Sequence, residues 1–217
     1  MVWRERSWFE EKVLLSKLGS EKSPIFWIYF LPKALIKLSK ATNNPIGALI
    51  FLMGLSNGYD SNFNYSINVS FNKNDEQNKQ LLRALVRLCS KTLNDKQRKN
   101  LLNIVSQRQN NIIQLDSLKL INSDVKYFIL LEVFVDEEYC FKHLSDDALI
   151  IDVGAYVGDT ALYFASKGYN VIAFEPISQF YNTAKKNLEL NPKLSKKIKF
   201  INKGISGKKH KNYQIFR

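Results

Sequence analysis

The sequence predicts an α/β chain in which a parallel, doubly wound sheet follows a mainly helical region carrying a few strands. Three observations predict it. Residues 149–176 read as strand, glycine turn, helix and strand within roughly 25 residues, which makes a parallel βαβ unit with a right-handed crossover. A further helical period at 177–190 and a further apolar run at 198–201 repeat that unit. Upstream, the dominant hydrophobic period is that of helices. The expected organisation is therefore a mainly helical region over 1–110 and a parallel α/β domain over 111–217.

Residues 1–20 have the pattern of an amphipathic helix. Ser7-Trp8-Phe9-Glu10 fits a capping box, Phe9, Val13 and Leu14 recur at helical spacing, and Gly19 ends it. Ser23-Pro24 opens a second helix through Leu31, which Pro32 is expected to kink or interrupt. Pro45 to Leu55 is a third apolar segment. None of them approaches the roughly 20 apolar residues that span a bilayer. Their aromatic content beside Lys33 and Lys37 suits a membrane surface, but packing on the rest of the chain or on one another is the favoured reading.

Phe63, Tyr65, Ile67, Val69 and Phe71 alternate with polar residues, which predicts one half-buried strand. Two helices follow. The first runs from about Asp75 to Lys91 with Leu81, Leu82, Leu85 and Leu88 inward; the second runs from about Asp95 to Gln107 with Leu101, Leu102 and Val105 inward. Residues 111–120 read as a strand or hairpin, and the apolar run 125–135 leads into Tyr139.

Ala148 to Val153 is apolar except for Asp152, the pattern of a strand buried on both faces. Gly154 and Gly158 bracket a turn. Residues 160–167 then form a helix burying Leu162, Phe164 and Ala165, with Gly168 just past its end. Val171 to Phe174 is the next buried strand. Ile177 to Leu190 is a helix with Phe180, Ala184 and Leu188 on one side, stopped before Pro192. Ile198 to Ile201 is the third strand, with Asn202 at its carboxyl end and Gly204 and Gly207 in the turn beyond.

Sheets of this kind bind ligands beyond the carboxyl ends of their strands, where both polar clusters fall. A dinucleotide fingerprint, G-x-G-x-x-G, needs a second glycine so that a pyrophosphate can lie against the backbone. That position holds Tyr156. The spacing from Gly154 to Gly158 is G-x-x-x-G, a wider turn suited to a ligand without a diphosphate. Glu175, ending the second strand, is placed to accept hydrogen bonds from both hydroxyls of a ribose. A nucleoside without a pyrophosphate points to S-adenosylmethionine.

The string Asp152-Val153-Gly154-Ala155-Tyr156-Val157-Gly158-Asp159-Thr160 resembles the first motif of class I S-adenosylmethionine-dependent methyltransferases. Together with Ala173-Phe174-Glu175-Pro176, Asn187-Leu188-Glu189-Leu190-Asn191 and the lead-in Leu131-Glu132-Val133-Phe134 with Tyr139, it resembles the FkbM family over about Leu130 to Gly207. The resemblance implies a class I methyltransferase sheet, S-adenosyl-L-methionine as cofactor, and O-methylation of a small molecule or glycan. It also implies that elements before the first core strand cover the methionine end of the cofactor. Tyr139 would then close the pocket; a core tyrosine is the equal alternative.

The candidate cofactor-binding residues are Asp152, Gly154, Ala155, Tyr156, Gly158, Asp159, Thr160, Glu175, Pro176 and Asn202. Asp152 either faces the cofactor's amino group, orients the turn, or merely caps a strand. Gly154 supplies a positive φ or a close approach. Asp159 and Thr160 cap the following helix, a role compatible with ligand contact because free N–H groups there attract a carboxylate. Tyr156 either packs or lines the methionine pocket. Asn202 either reaches the adenine edge or stabilises its loop.

Composition bounds the rest. The 217 residues, 45% hydrophobic and 12% aromatic, support a packed core and exclude a disordered chain. Cys89 and Cys140 form no metal or redox motif, and no metal site is expected. With Arg4, Glu5, Arg6, Glu10 and Glu11 in place of an apolar leader, this leads to the expectation of a cytoplasmic protein. The net charge of +12 leaves nucleic acid open as a partner, with an RNA-binding protein or RNA methyltransferase as an alternative. Lysines crowd the end from Lys193 to Lys211, with no acid after Glu189.

The implied family sheet has more strands than these three, with Tyr213 to Phe216 as the one further candidate. The missing strands would complete the adenine pocket, the acceptor wall and any general base. The catalytic residue is thus unassigned: His143 precedes the first core strand and His210 sits in a lysine run. A catalytically incomplete remnant, or a subunit that needs a partner chain or a second copy, is the alternative to an active enzyme, since half a sheet leaves an open edge.

Overall fold

A computed structural model describes residues 24–116, 118–122, 125–140, 144–145 and 147–206, without the side chains of 24–30, Glu76 and Lys79. The helix expected over 1–20, His143, Gly207, His210, the lysines beyond 207 and Tyr213 to Phe216 lie outside the described residues. The chain divides into two compact units, Met1–Lys91 and Thr92–Arg217, so the helix that begins at Asp95 belongs to the second.

In the first unit, α1 (Pro24–Ser39) is one helix with Pro32 inside it. The expected interruption does not occur; the amide that proline lacks is a single lost bond in an otherwise continuous ladder. Helix α2 (Pro45–Leu52) starts where Asn44 accepts the Gly47 amide at 2.9 Å and Pro45 occupies the first helical position. The single strand expected over 63–72 is instead the turn and second arm of an antiparallel hairpin. Strand β1 (Gly58–Phe63) pairs with β2 (Ile67–Asn72), Phe63 opposite Ile67, and Asn64–Ser66 turns between them. Tyr65 and Ser66 carry positive φ of 66° and 58°, which breaks the alternation. One hairpin face buries Tyr59, Phe63, Ile67, Val69 and Phe71. There the rings of Phe51, Tyr59, Phe63 and Phe71 meet at 5.7–6.2 Å between centroids. Helix α3 (Glu76–Cys89) closes that core with Leu81, Leu82, Leu85 and Leu88, all buried as the period predicts. Burial raises the Cys89 thiol to about 12, which makes it inert.

The second unit opens with α4 (Asp95–Ser106), capped by a reciprocal Asn94–Gln97 box. Its inward row is Asn100, Leu101 and Ile104. Leu102 is exposed and Val105 only half-buried, because Asn100 turns inward to donate to the Phe134 carbonyl at 2.9 Å. Strands β3 (Ile112–Leu115) and β4 (Leu118–Ile121) form the expected hairpin, and α5 (Tyr127–Phe134) follows. Then come β5 (Leu149–Val153), α6 (Asp159–Ser166), β6 (Asn170–Phe174), α7 (Ser178–Glu189), the short α8 (Pro192–Ser195) and β7 (Ile198–Ile201). The three strands are parallel in the order β5-β6-β7. This is an α/β arrangement compatible with a Rossmann-like fold.

Register assigns the sheet two faces. Ile150 and Asp152 align with Val171, Ala173, Ile198 and Phe200 on the face where α6 packs. Leu149, Ile151 and Val153 align with Ile172, Phe174 and Ile201 on the other. The expectation that β5 is buried on both faces fails there: Leu149, Ile151 and Val153 are 54%, 51% and 61% exposed. Among the described residues β5 pairs along one edge only, and no element covers these side chains.

Candidate functional site

The site is built where β5 and β6 end. Beyond Val153 the backbone bends through Gly154 (φ 82°), Tyr156 (φ 48°) and Gly158 (φ 80°) into α6. The bend is held by the end of β6, whose Phe174 carbonyl accepts the amides of Gly154 and Ala155 at 2.9 and 3.0 Å. Gly158 is the more closely surrounded of the turn's two glycines. Its φ is left-handed, and a Cβ there would stand 3.4 Å from both Ala184 Cβ and Phe200 Cε2. Gly154 is different: a Cβ would meet nothing within 4 Å, so the turn faces open space on that side.

Glu175 reaches back across the turn. Its Oε2 accepts the Tyr156 amide at 2.9 Å and its Oε1 accepts the Ile177 amide at 2.8 Å, with the carboxylate buried. The Glu175 carbonyl accepts the Asn202 side-chain amide at 2.8 Å, while Ser178 Oγ donates to Asn202 Oδ1 at 3.3 Å. Asn202 therefore stabilises the loop in this structure. Pro176 is half-buried with its Cβ 3.6 Å from where a Cβ on Gly204 would stand.

Two more carboxylates stand beside Glu175. Asp152 accepts the Thr160 hydroxyl at 2.5 Å; burial holds its carboxyl above the usual range, opposed by that hydrogen bond and aided by the Glu175 charge. Asp159, at the first turn of α6, is fully buried, and burial pushes it up to about 6 against the backbone amides it accepts, with the Asp152 charge adding to the rise. The structure thus brings Asp152, Asp159, Thr160, Glu175 and the turn together. Tyr139 joins them electrostatically: burial first, then the charges of Glu132, Glu138, Asp159 and Asp152 raise its hydroxyl. It is 41% exposed, so it is not a core tyrosine. No group of three His, Cys, Asp or Glu among the described residues could hold a metal ion.

Some contacts were not legible in advance. The Phe180 ring packs edge-on against Tyr156 at 4.4 Å, and the Lys126 ammonium lies 5.9 Å from the Tyr156 ring centre. Asn187, fully buried, donates to the Val157 carbonyl at 2.9 Å and accepts the Ile121 amide at 2.8 Å, tying the turn to β4. Asn191 accepts the Lys119 amide at 2.8 Å and donates back to the Lys119 carbonyl at 2.6 Å. The signal for these was the asparagine pair four residues apart, Asn187 on α7 and Asn191 just before α8, within the segment that carries the family resemblance.

No protein-family model matches the sequence. The chain is similar to "Methyltransferase sdnD" of Sordaria araneosa, 36% identical over 81 residues, covering 36% of this chain and 31% of that protein. It is also similar to "Methyltransferase 1" of Beauveria bassiana (strain ARSEF 2860), 35% identical over 66 residues, covering 30% of this chain and 26% of that protein. The matched part is thus under a third of the length of these curated relatives.

Proposed function

We propose that the second unit carries the cofactor site of a class I, FkbM-type methyltransferase that uses S-adenosylmethionine to methylate an oxygen of a small molecule or glycan. The observation that carries this reading is the seating of Glu175 against the G-x-x-x-G turn at the ends of two adjacent parallel strands. Two distant relatives named as methyltransferases support the reaction class.

The residues fit the cofactor. Glu175 accepts a backbone amide on each oxygen, and a carboxylate offers about four lone-pair positions, leaving capacity for ribose hydroxyls. Gly154 leaves open space beside its Cα. When bound, the cofactor supplies a methyl group on a sulfonium, open to displacement by oxygen. In this reading Asp152 and Asp159 balance an ammonium, and the first amides of α6 attract a carboxylate. Ala155, Tyr156, Gly158, Thr160 and Pro176 shape the berth, while Asn202 holds the main chain of Glu175. Tyr139 closes the rim. Alignment of donor and acceptor is the largest contribution such a site makes, about 7–11 kcal/mol at best.

Calorimetry of the 217-residue chain with S-adenosylmethionine tests this. Binding that disappears in Glu175→Ala, with circular dichroism unchanged, is the expected result. No heat of binding to the native chain, at cofactor concentrations up to about a millimolar, would overturn it.

The exposed Leu149, Ile151 and Val153, and the edge of β5 that pairs with no strand among the described residues, favour one second reading. In it the chain binds cofactor, and turnover requires a partner polypeptide that adds a strand beside β5. Methylation by the purified chain alone would reject that reading.

A further inference from the structure

In the first unit, every exposed large apolar side chain among the described residues falls between Ile36 and Leu55. Single exposed hydrophobes are ordinary; a cluster confined to one short stretch is not. Helix α2 sorts its residues by side. Ala48, Leu49 and Phe51 are buried, whereas Ile46 and Ile50, followed by Met53, recur at i, i+4 and i+7 and face outward. Ile46 is 64% exposed, and Leu55, just past the left-handed Gly54, is 71% exposed. Packing of α2 against the hairpin core therefore satisfies only half of this apolar helix.

Charge indicates what the other half meets. From Pro24 to Tyr59 there is no aspartate or glutamate, whereas Lys33, Lys37 and Lys40 fall on α1 and just beyond it. Those lysines and Ile36 follow the same spacing of three, four and seven, and all four positions are exposed. An exposed apolar row on one helix, preceded in the chain by an exposed row of lysines without acids, is a composition suited to the headgroup layer of a bilayer. No helix among the described residues is long and apolar enough to cross a membrane.

We propose that the outward rows of α1 and α2 form a docking face for an anionic lipid bilayer, with Ile46, Ile50, Met53 and Leu55 entering the interface and Lys37 and Lys40 meeting the headgroups. Such an attachment is reversible, because one short apolar row gives marginal binding until basic residues add to it.

Co-sedimentation of the full chain with vesicles tests this, comparing phosphatidylcholine alone with phosphatidylcholine containing phosphatidylserine. The bound fraction should rise with phosphatidylserine and fall when salt is raised, because the lysine attraction is screened. Lys37→Ala and Lys40→Ala should each weaken binding about five-fold. Ile46→Glu with Leu55→Glu should abolish it while circular dichroism is unchanged; both positions are exposed, and the lysine variants report independently if that pair perturbs the fold. Absence of binding to anionic vesicles, or binding unaffected by all four substitutions, overturns the proposal. So does a native dimer that the glutamate pair converts to monomer without any vesicle binding, which would make this face a contact between copies of the chain.

Discussion

The carboxylate of Glu175 and the amide of Tyr156, nineteen residues apart, meet at 2.9 Å and close the glycine turn onto the next strand. With its other oxygen on the Ile177 amide, Glu175 accepts from donors on both sides. Charged acceptors of this kind contribute about 1.5–3 kcal/mol per bond. Glu175→Ala is therefore expected to lower unfolding free energy by about 3 kcal/mol in urea titrations. Glu175→Gln should do little better, since its NH2 group must face one N–H donor. Near-native stability of the glutamine variant would show that one of the two bonds is dispensable.

The two glycines of the turn separate structure from site. Both have left-handed φ, which costs a side chain about 1–2 kcal/mol. Gly158→Ala sets a Cβ 3.4 Å from Ala184 and Phe200, at the near limit of ordinary contact, whereas the Cβ of Gly154→Ala enters open space. Melting temperature should fall further for Gly158→Ala. Cofactor affinity, measured by calorimetry, should fall further for Gly154→Ala, because its methyl occupies the space assigned to the ligand. The opposite ranking in both measurements would reverse the assignment.

Asn187 and Asn191 use their side-chain amides as strand mimics. Truncating Asn187 to alanine orphans the Val157 carbonyl and the Ile121 amide, at about 1–3 kcal/mol for each buried group. Hydrogen exchange should accelerate at Ile121 in Asn187→Ala and at Lys119 in Asn191→Ala. Asn187→Asp keeps an acceptor for Ile121 but presents a carboxylate to the Val157 carbonyl, so it too should destabilise the unit.

These contacts mark the limit of what the sequence discloses. The inward leucines of α3 were legible because a helical period encodes burial directly, and the parallel strands because short apolar runs alternate with a helix. The hairpin at Gly58–Asn72 was hidden: its turn uses Tyr65 and Ser66 at positive φ, without the glycine that normally announces one. At the site, residue types and order located the turn and its acid. They could not show that Glu175 spends bonds on Tyr156 and Ile177, or that Asn191 pairs with Lys119 seventy-two positions away. A short apolar strand broken only by Asp152 also reads the same whether one face is covered or two, so the exposure of Leu149 is not legible in the sequence.

The buried acids set a pH dependence. Asp159 is raised from 3.8 to about 6 and Asp152 is raised as well, both chiefly by burial. A raised carboxyl means the folded state binds its proton more tightly than the unfolded one. Its contribution is then complete below the unfolded pKa and is lost as pH rises through the folded value. The second unit should accordingly lose stability between about pH 4 and pH 6, on the order of 2–3 kcal/mol from Asp159. Asp159→Asn should flatten that part of the curve in urea titrations at stepped pH. A variant whose stability declines with pH as steeply as the native chain would assign the effect to other groups.

Ile151 and Val171 test whether the sheet has one covered face or two. They lie on adjacent strands, but Ile151 is half exposed on the open face while Val171 is buried on the face where α6 packs. Val171→Ala removes two buried methyl groups and should cost about 2 kcal/mol. Ile151→Thr replaces an exposed side chain with another β-branched one, so its cost should stay within about 0.5 kcal/mol. The same substitution should reduce concentration-dependent association in sedimentation velocity, since it removes apolar area beside an edge that pairs with no strand among the described residues. If the two variants proved equally destabilising in the isolated chain, some element would have to cover Leu149, Ile151 and Val153 in solution, and the case for a complementing strand beside β5 would fall.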